Sequence, residues 1–96
     1  MNPWHPIDNK VDLKHLGKLG EELGECSAAV ARCIIQGVEE AEPVTGKPNR
    51  EWLEEEIADV QANIALVALR FELDQDRMAR RTARKMAQLL SWHEMA

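Results

Sequence analysis

Apolar residues recur at alternating intervals of three and four along two long stretches of the chain, a spacing typical of helices packed in a bundle. The first stretch contains Leu16, Leu19, Leu23, Cys26, Val30 and Cys33, and the second contains Ile57, Val60, Ile64, Val67 and Phe71. A third, weaker row consists of Met78, Thr82, Met86, Leu89 and His93. The pattern predicts an all-α bundle of three main helices, the first two nearly antiparallel.

The first helix is expected to follow an extended arm. Residues 1–10 contain two prolines and no periodicity, which predicts that arm. Asp12 is the expected N-cap, and the helix should end at Gln36 because Gly37 supplies a C-terminal stop. The proline- and glycine-containing segment 38–48 is predicted to be a loop.

Two further helices should complete one domain spanning residues 1–96. Asn49 is the expected N-cap of a second helix that ends near Glu72. Asp74 is the expected cap of a third helix that extends to about His93. A chain of 96 residues has a modest core, so we expect it to form a homodimer or homotetramer that completes the bundle.

Charge and composition narrow the classes of function. The formal net charge of −5 argues against a protein that coats a nucleic acid polymer, because phosphate neutralisation requires a basic surface. No signal peptide is visible, and no apolar run approaches the roughly 20 residues of a membrane span. Cys26 and Cys33 are about 10 Å apart along one helix, too far to bridge. Reduced thiols and a cytoplasmic location are expected.

The candidate chemistry lies one residue before each apolar row. That flanking position carries Glu22 and Glu25 on the first helix and Glu56 and Asp59 on the second. Carboxylates three residues apart project from the same helix face, so two packed helices would surround one volume with four of them. Such a site requires a cation, and hard oxygen ligands favour Mg²⁺, with Mn²⁺ as the alternative. Solvated acidic faces of two surface helices would show the same spacing.

At these residues the chain resembles the MazG-like all-α nucleoside triphosphate pyrophosphohydrolase superfamily, which includes the dimeric dUTPases. The family pattern is Glu-Glu-x-x-Glu followed, after a variable gap, by Glu-x-x-Asp. Here it is matched by Glu21-Glu22-x-x-Glu25 and Glu56-x-x-Asp59, and the likeness extends over roughly residues 12–90. Many relatives have Gly before the final Asp, where this chain has Ala58.

The resemblance implies hydrolysis of a (deoxy)nucleoside triphosphate to a monophosphate and pyrophosphate, with nucleotide pool cleansing as a role. Carried over by position, Glu22, Glu25, Glu56 and Asp59 would hold Mg²⁺, which would activate a water for in-line attack. Glu21 or Glu25 would act as the catalytic base.

Four further residues are candidates for substrate binding, each with a plainer alternative. Lys18, one turn before Glu22, either contacts a phosphate or pairs with that carboxylate. Asn63 binds ligand or is a satisfied polar residue, and Lys85 binds phosphate or belongs to a solvated basic face. Trp52 stacks on a base or packs in the core.

Two other functions fit the same sequence. The first is a non-catalytic helical interaction or regulatory module whose acidic faces bind a basic partner. The second is a relative that binds a nucleotide without hydrolysing it.

Overall fold

The computed structural model describes residues 3–95, and these form three α-helices: α1 (Lys10–Gln36), α2 (Asn49–Arg70) and α3 (Gln75–Met95). The described residues contain no strand, and an isolated antiparallel bridge between Ala41 and Pro48 closes the base of the loop. The predicted all-α fold with three main helices is confirmed.

The first helix begins earlier than expected because Asn9, not Asp12, caps it. The side-chain oxygen of Asn9 accepts hydrogen bonds from the backbone N–H groups of Val11 (2.9 Å) and Asp12 (3.1 Å). Asp12 instead lies in the first turn, where its carboxylate accepts a hydrogen bond of 2.8 Å from Arg70 at the end of α2. The helix ends at Gln36 as predicted, and the next residue is Gly37, whose φ of 99° suits a residue without a Cβ.

The start of α2 is fixed by a buried amide. Asn49 is the first helical residue rather than the cap, which is Pro48. Its side chain is only 1% exposed and donates hydrogen bonds to the side-chain oxygen of Gln36 (3.1 Å) and to the backbone oxygen of Gly37 (3.0 Å). This amide joins the end of α1 to the beginning of α2.

The turn between α2 and α3 follows a Schellman pattern. Glu72 has a φ of 50° and its N–H bonds to Leu69 O, while Leu73 N–H bonds to Ala68 O. The helix therefore ends two residues before the predicted position. Asp74 caps α3 as expected, since its carboxylate accepts a hydrogen bond of 2.9 Å from the Arg77 N–H.

The contacting faces of α1 and α2 are rotated from the predicted apolar rows toward the carboxylates. The two helices form an antiparallel hairpin, because the loop joins their adjacent ends and Asp12 pairs with Arg70 at the other end. Leu16, Leu23 and Val30, predicted to lie inward, are substantially exposed, and so are Ile57 and Ile64. The positions one residue earlier face the partner helix instead, and they include Glu22, Ala29, Glu56 and Asn63.

The third helix projects from the hairpin. Within residues 75–94 every side chain is exposed except that of Met78, which is half-buried. The radius of gyration is 17.3 Å, whereas a compact domain of this length has a value of about 12 Å. Most of the apolar surface of α3 therefore has no partner within the described part of the chain.

We expect Asn49→Ala to destabilise the hairpin by about 1–3 kcal/mol, because it removes both hydrogen bonds that the buried amide makes to the end of α1. Urea unfolding followed by circular dichroism measures this change. Gln61→Ala, at an exposed position of the same helix, is the control and should change the free energy of unfolding by less than about 0.5 kcal/mol. Equal stability of the two variants would contradict the role assigned to Asn49.

Candidate metal centre and adjoining cavity

Three carboxylates from two helices meet at the α1–α2 interface. Glu22 of α1 and Glu56 and Asp59 of α2 each offer one oxygen, and these oxygens all lie within 4.8 Å of one another. We call these three residues the carboxylate cluster. Glu56 and Asp59 project together because they are three residues apart on one helix. Glu22 reaches them because it lies on the face of α1 that contacts α2.

Burial makes this cluster different from a solvated acidic face. Glu22 is only 7% exposed, Glu56 is half-buried and Asp59 is exposed. The Oε2 atoms of Glu22 and Glu56 are buried and have no hydrogen-bond partner. Unpaired buried carboxylate oxygens are energetically costly, and a cation would satisfy them. The donor set, all carboxylate oxygen, fits Mg²⁺ or Mn²⁺.

Glu25, the fourth predicted ligand, lies beside the cluster rather than within it. Its side chain is exposed, and repulsion from Glu22, aided by desolvation and by Glu56 and Glu21, raises the pKa of its carboxyl group. Glu25 also lines the adjoining cavity, which Glu21 does not. Its roles as ligand and as base stay predictions.

Lys18 makes the ion pair that the plainer interpretation expected. Its ammonium group is 3.3 Å from Glu22 Oε1 and 3.4 Å from Glu21 Oε1, and these contacts, that with Glu22 first, raise the pKa of Lys18. The pair places one positive charge at the edge of the cluster. Glu21 is thereby held by Lys18 on an exposed part of α1.

The other predicted binding residues have different positions. Asn63 is half-buried one turn after Asp59, and its amide donates a hydrogen bond of 2.8 Å to the backbone oxygen of Asp59. Lys85 is exposed on the projecting helix, so the fold of one chain does not bring it to the cluster. Trp52 does lie near the cluster, because it lines the cavity that Glu56 also lines.

An open cavity of about 510 Å³ adjoins the cluster between α1, α2 and the loop. Its lining residues are Glu25, Ala28, Ala29, Arg32, Glu42, Trp52 and Glu56. Both Lys47 and Arg32 lie over the Trp52 ring, with charged centres 4.1 and 5.5 Å from the ring centroid. A cavity of this size accommodates a small organic ligand.

Arg32 and Glu42 are the residues of this site that the sequence did not predict. Arg32 follows Glu25 by two helical turns, so the helical spacing contained a signal for it. Glu42 lies in the loop, where its carboxylate accepts hydrogen bonds from the Val44 and Thr45 backbone N–H groups and from the Thr45 hydroxyl. These bonds, with the hydroxyl first, lower the pKa of Glu42. Periodicity offers no comparable signal for a loop residue.

Comparison of the chain with protein-family models, with curated proteins and with solved structures finds no match. The resemblance to the MazG-like superfamily therefore depends on the two acidic motifs and their helical setting. Within residues 3–95, none of the helices combines the length and the apolar character needed to cross a membrane.

We expect Mg²⁺ to raise the melting temperature of the protein by about 5 °C at concentrations well above its dissociation constant, because it neutralises the cluster. Glu56→Gln and Asp59→Asn should each remove most of that increase. Differential scanning calorimetry with and without EDTA measures the effect. Glu54→Gln, which removes an exposed carboxylate of α2 outside the cluster, is the matched control and should keep the full increase. An undiminished shift in Glu56→Gln would contradict metal binding at the cluster.

Proposed function

We propose that the protein is a Mg²⁺-dependent nucleoside triphosphate pyrophosphohydrolase. The observation that carries this proposal is the carboxylate cluster: two of its oxygens are buried without partners, and it opens onto a cavity of about 510 Å³. The motif resemblance supplies the reaction class. The substrate is a nucleoside triphosphate, and the bond that breaks is the anhydride between its α and β phosphates.

The residues have distinct parts in this proposal. Glu22, Glu56 and Asp59 would hold the metal, and Glu25 lies beside them at the cavity. A bound Mg²⁺ supplies charge neutralisation for the phosphate oxygens and lowers the pKa of a coordinated water. Glu25, at the cavity edge, accepts the proton of the attacking water in preference to Glu21, which is held by Lys18. Lys18 supplies positive charge beside the phosphates.

The proposal includes a homo-oligomer, either a homodimer or a homotetramer. Leu16, Leu23 and Val30 each follow an inward residue of α1, and Ile57 and Ile64 do the same on α2. In antiparallel helices these positions turn toward the same side of the hairpin, opposite to Glu25 and Trp52. We call these five residues the apolar face. A second copy covering it would leave the cavity open.

The unpartnered α3 supports the same assembly. Its exposed apolar residues include Met86, Leu89 and Leu90, and it carries five basic residues against two acidic ones. Lys85 does not reach the cluster within one chain, and its contact with a phosphate stays a prediction. Cys26 and Cys33 are free thiols, compatible with the proposed cytoplasmic location.

We expect the purified protein to release pyrophosphate, and not orthophosphate, from one or more nucleoside triphosphates in the presence of Mg²⁺. Glu56→Gln and Asp59→Asn should each reduce kcat/KM by about 100-fold or more, the scale of losing one preorganised electrostatic group. Circular dichroism should show unchanged helical content, and Glu54→Gln should remain active. Full activity of either cluster variant would exclude this site, and inactivity of the wild type on every triphosphate would favour the interaction module.

We expect Ile64→Glu to dissociate the oligomer, because it places a charge in an apolar interface. Sedimentation velocity of the wild type and the variant measures the change in mass. Ala62→Glu adds the same charge to an exposed position of α2 that faces away from α1, and it should leave the assembly intact. A monomeric wild type at micromolar concentration would contradict the proposed assembly.

A further inference from the structure

Arg32 lies at the end of the cavity remote from the carboxylate cluster, and Trp52 lies between Arg32 and Glu56, one helical turn before Glu56. Arg32 follows Glu25 by seven residues, which places it about 10 Å farther along α1. Both residues line the cavity, whose opposite end is acidic. A nucleotide whose phosphates lie at the acidic end would therefore extend its base toward Arg32.

Arg32 offers hydrogen-bond donors that the chain itself does not use. Among residues 3–94 the guanidinium takes part in no hydrogen bond and no ion pair, and its close contact is with the Trp52 ring. A guanidinium held over an aromatic face keeps its N–H groups in a planar fork, available to a ligand.

The Trp52 ring lies against the guanidinium of Arg32, 5.5 Å from its centre. The indole nitrogen is buried and has no acceptor among the described residues.

The acceptor near this end of the cavity is the carboxylate of Glu42, which already bonds to its own loop. Glu42 accepts three hydrogen bonds from the loop, at 2.6 to 2.9 Å, and these involve both of its oxygens. This end of the cavity therefore presents guanidinium donors without a hydrogen bond, beside a carboxylate that bonds to its own loop and is attracted by the charge of Arg32. It complements a base edge that carries acceptors.

We propose that the Arg32 end of the cavity selects 6-oxopurine nucleotides, such as those of guanine, hypoxanthine and xanthine. The O6 and N7 atoms of these bases form two adjacent acceptors that match a guanidinium fork. Adenine has an amino group in place of O6, so its N–H donors would face the N–H donors of the Arg32 guanidinium. This inference depends on the proposed function only in placing the phosphates at the carboxylate cluster.

The decisive comparison is ITP with ATP, because the two differ at position 6 of the purine. We expect the wild type to prefer ITP over ATP by about tenfold in kcat/KM. Arg32→Lys keeps the positive charge but loses the fork, and Arg32→Ala loses both. The ITP/ATP ratio should fall toward one in both variants, whereas Arg80→Ala, at an exposed position on α3, should leave it unchanged.

A second substrate isolates the contact to N7. The 7-deaza analogue of GTP lacks that acceptor and should be a poorer substrate than GTP by about tenfold for the wild type. In Arg32→Ala the two substrates should become nearly equal. Loss of activity on all bases by the same factor would show that Arg32 contacts the phosphates or supports the fold, and would overturn the proposal.

Binding of IMP and AMP, measured by isothermal titration calorimetry, separates this inference from the proposed function. An Arg32-dependent preference for IMP in a protein that hydrolyses no triphosphate would retain the base site and reject the reaction. Mg²⁺-dependent hydrolysis of ITP and ATP at equal rates would retain the reaction and reject the base site. Absence of both binding preference and hydrolysis would reject both.

Discussion

The packing of α1 against α2 brings the carboxylates of Glu22, Glu56 and Asp59 together. The stability of the hairpin depends on how the repulsion between these like charges is reduced. An ordinary helical hairpin buries apolar side chains along its full contact, but here Glu22 is buried opposite Glu56 and Asp59. Removing charged groups from water and placing them near like charges opposes folding. Lys18 offsets part of that cost from the edge, and a divalent cation would offset the remainder. Any cation bound at the cluster would therefore also stabilise the hairpin.

The ends of the hairpin supply stability that the middle lacks. Asn49 joins the loop ends of the helices through hydrogen bonds to Gln36 and Gly37, and Asp12 pairs with Arg70 at the other end. Val67 and Ala68 are buried nearer that second end. The helices are therefore held in register by contacts on both sides of the carboxylates.

The sequence predicted the number of helices and three members of the carboxylate cluster, because helical periodicity governs both. At least half of each predicted apolar row is buried or half-buried as expected, namely Leu19, Cys26, Cys33, Val60, Val67 and Phe71. The contacting face is nevertheless rotated, since Leu23 and Ile57 were expected inside, whereas Glu22 and Glu56 lie there. Hydrophobicity alone cannot distinguish a face that covers its own neighbour from a face available to another surface. The cap at Asn9 was missed because Asp12 is equally suited to that role. Glu42 reaches the cavity through the path of the loop, which no periodic pattern encodes.

The hydrogen bonds that join Asn49 to the end of α1 determine which parts of such a protein can change in length. Because Asn49 bonds directly to the end of α1, the alignment of Glu22 with Glu56 is set at the helix ends and not by the number of residues in the loop. Two backbone bonds act at the same place, from Asn49 N–H to Glu40 O and from Arg50 N–H to Val38 O. A segment of another length between Ala41 and Lys47 would therefore leave the carboxylates in register. Glu42 comes from that same segment, so a loop exchange would remodel one end of the cavity alone. Arg32 and Trp52 lie on the helices that carry the carboxylates, so a loop exchange would keep them in place and change only the contribution of Glu42.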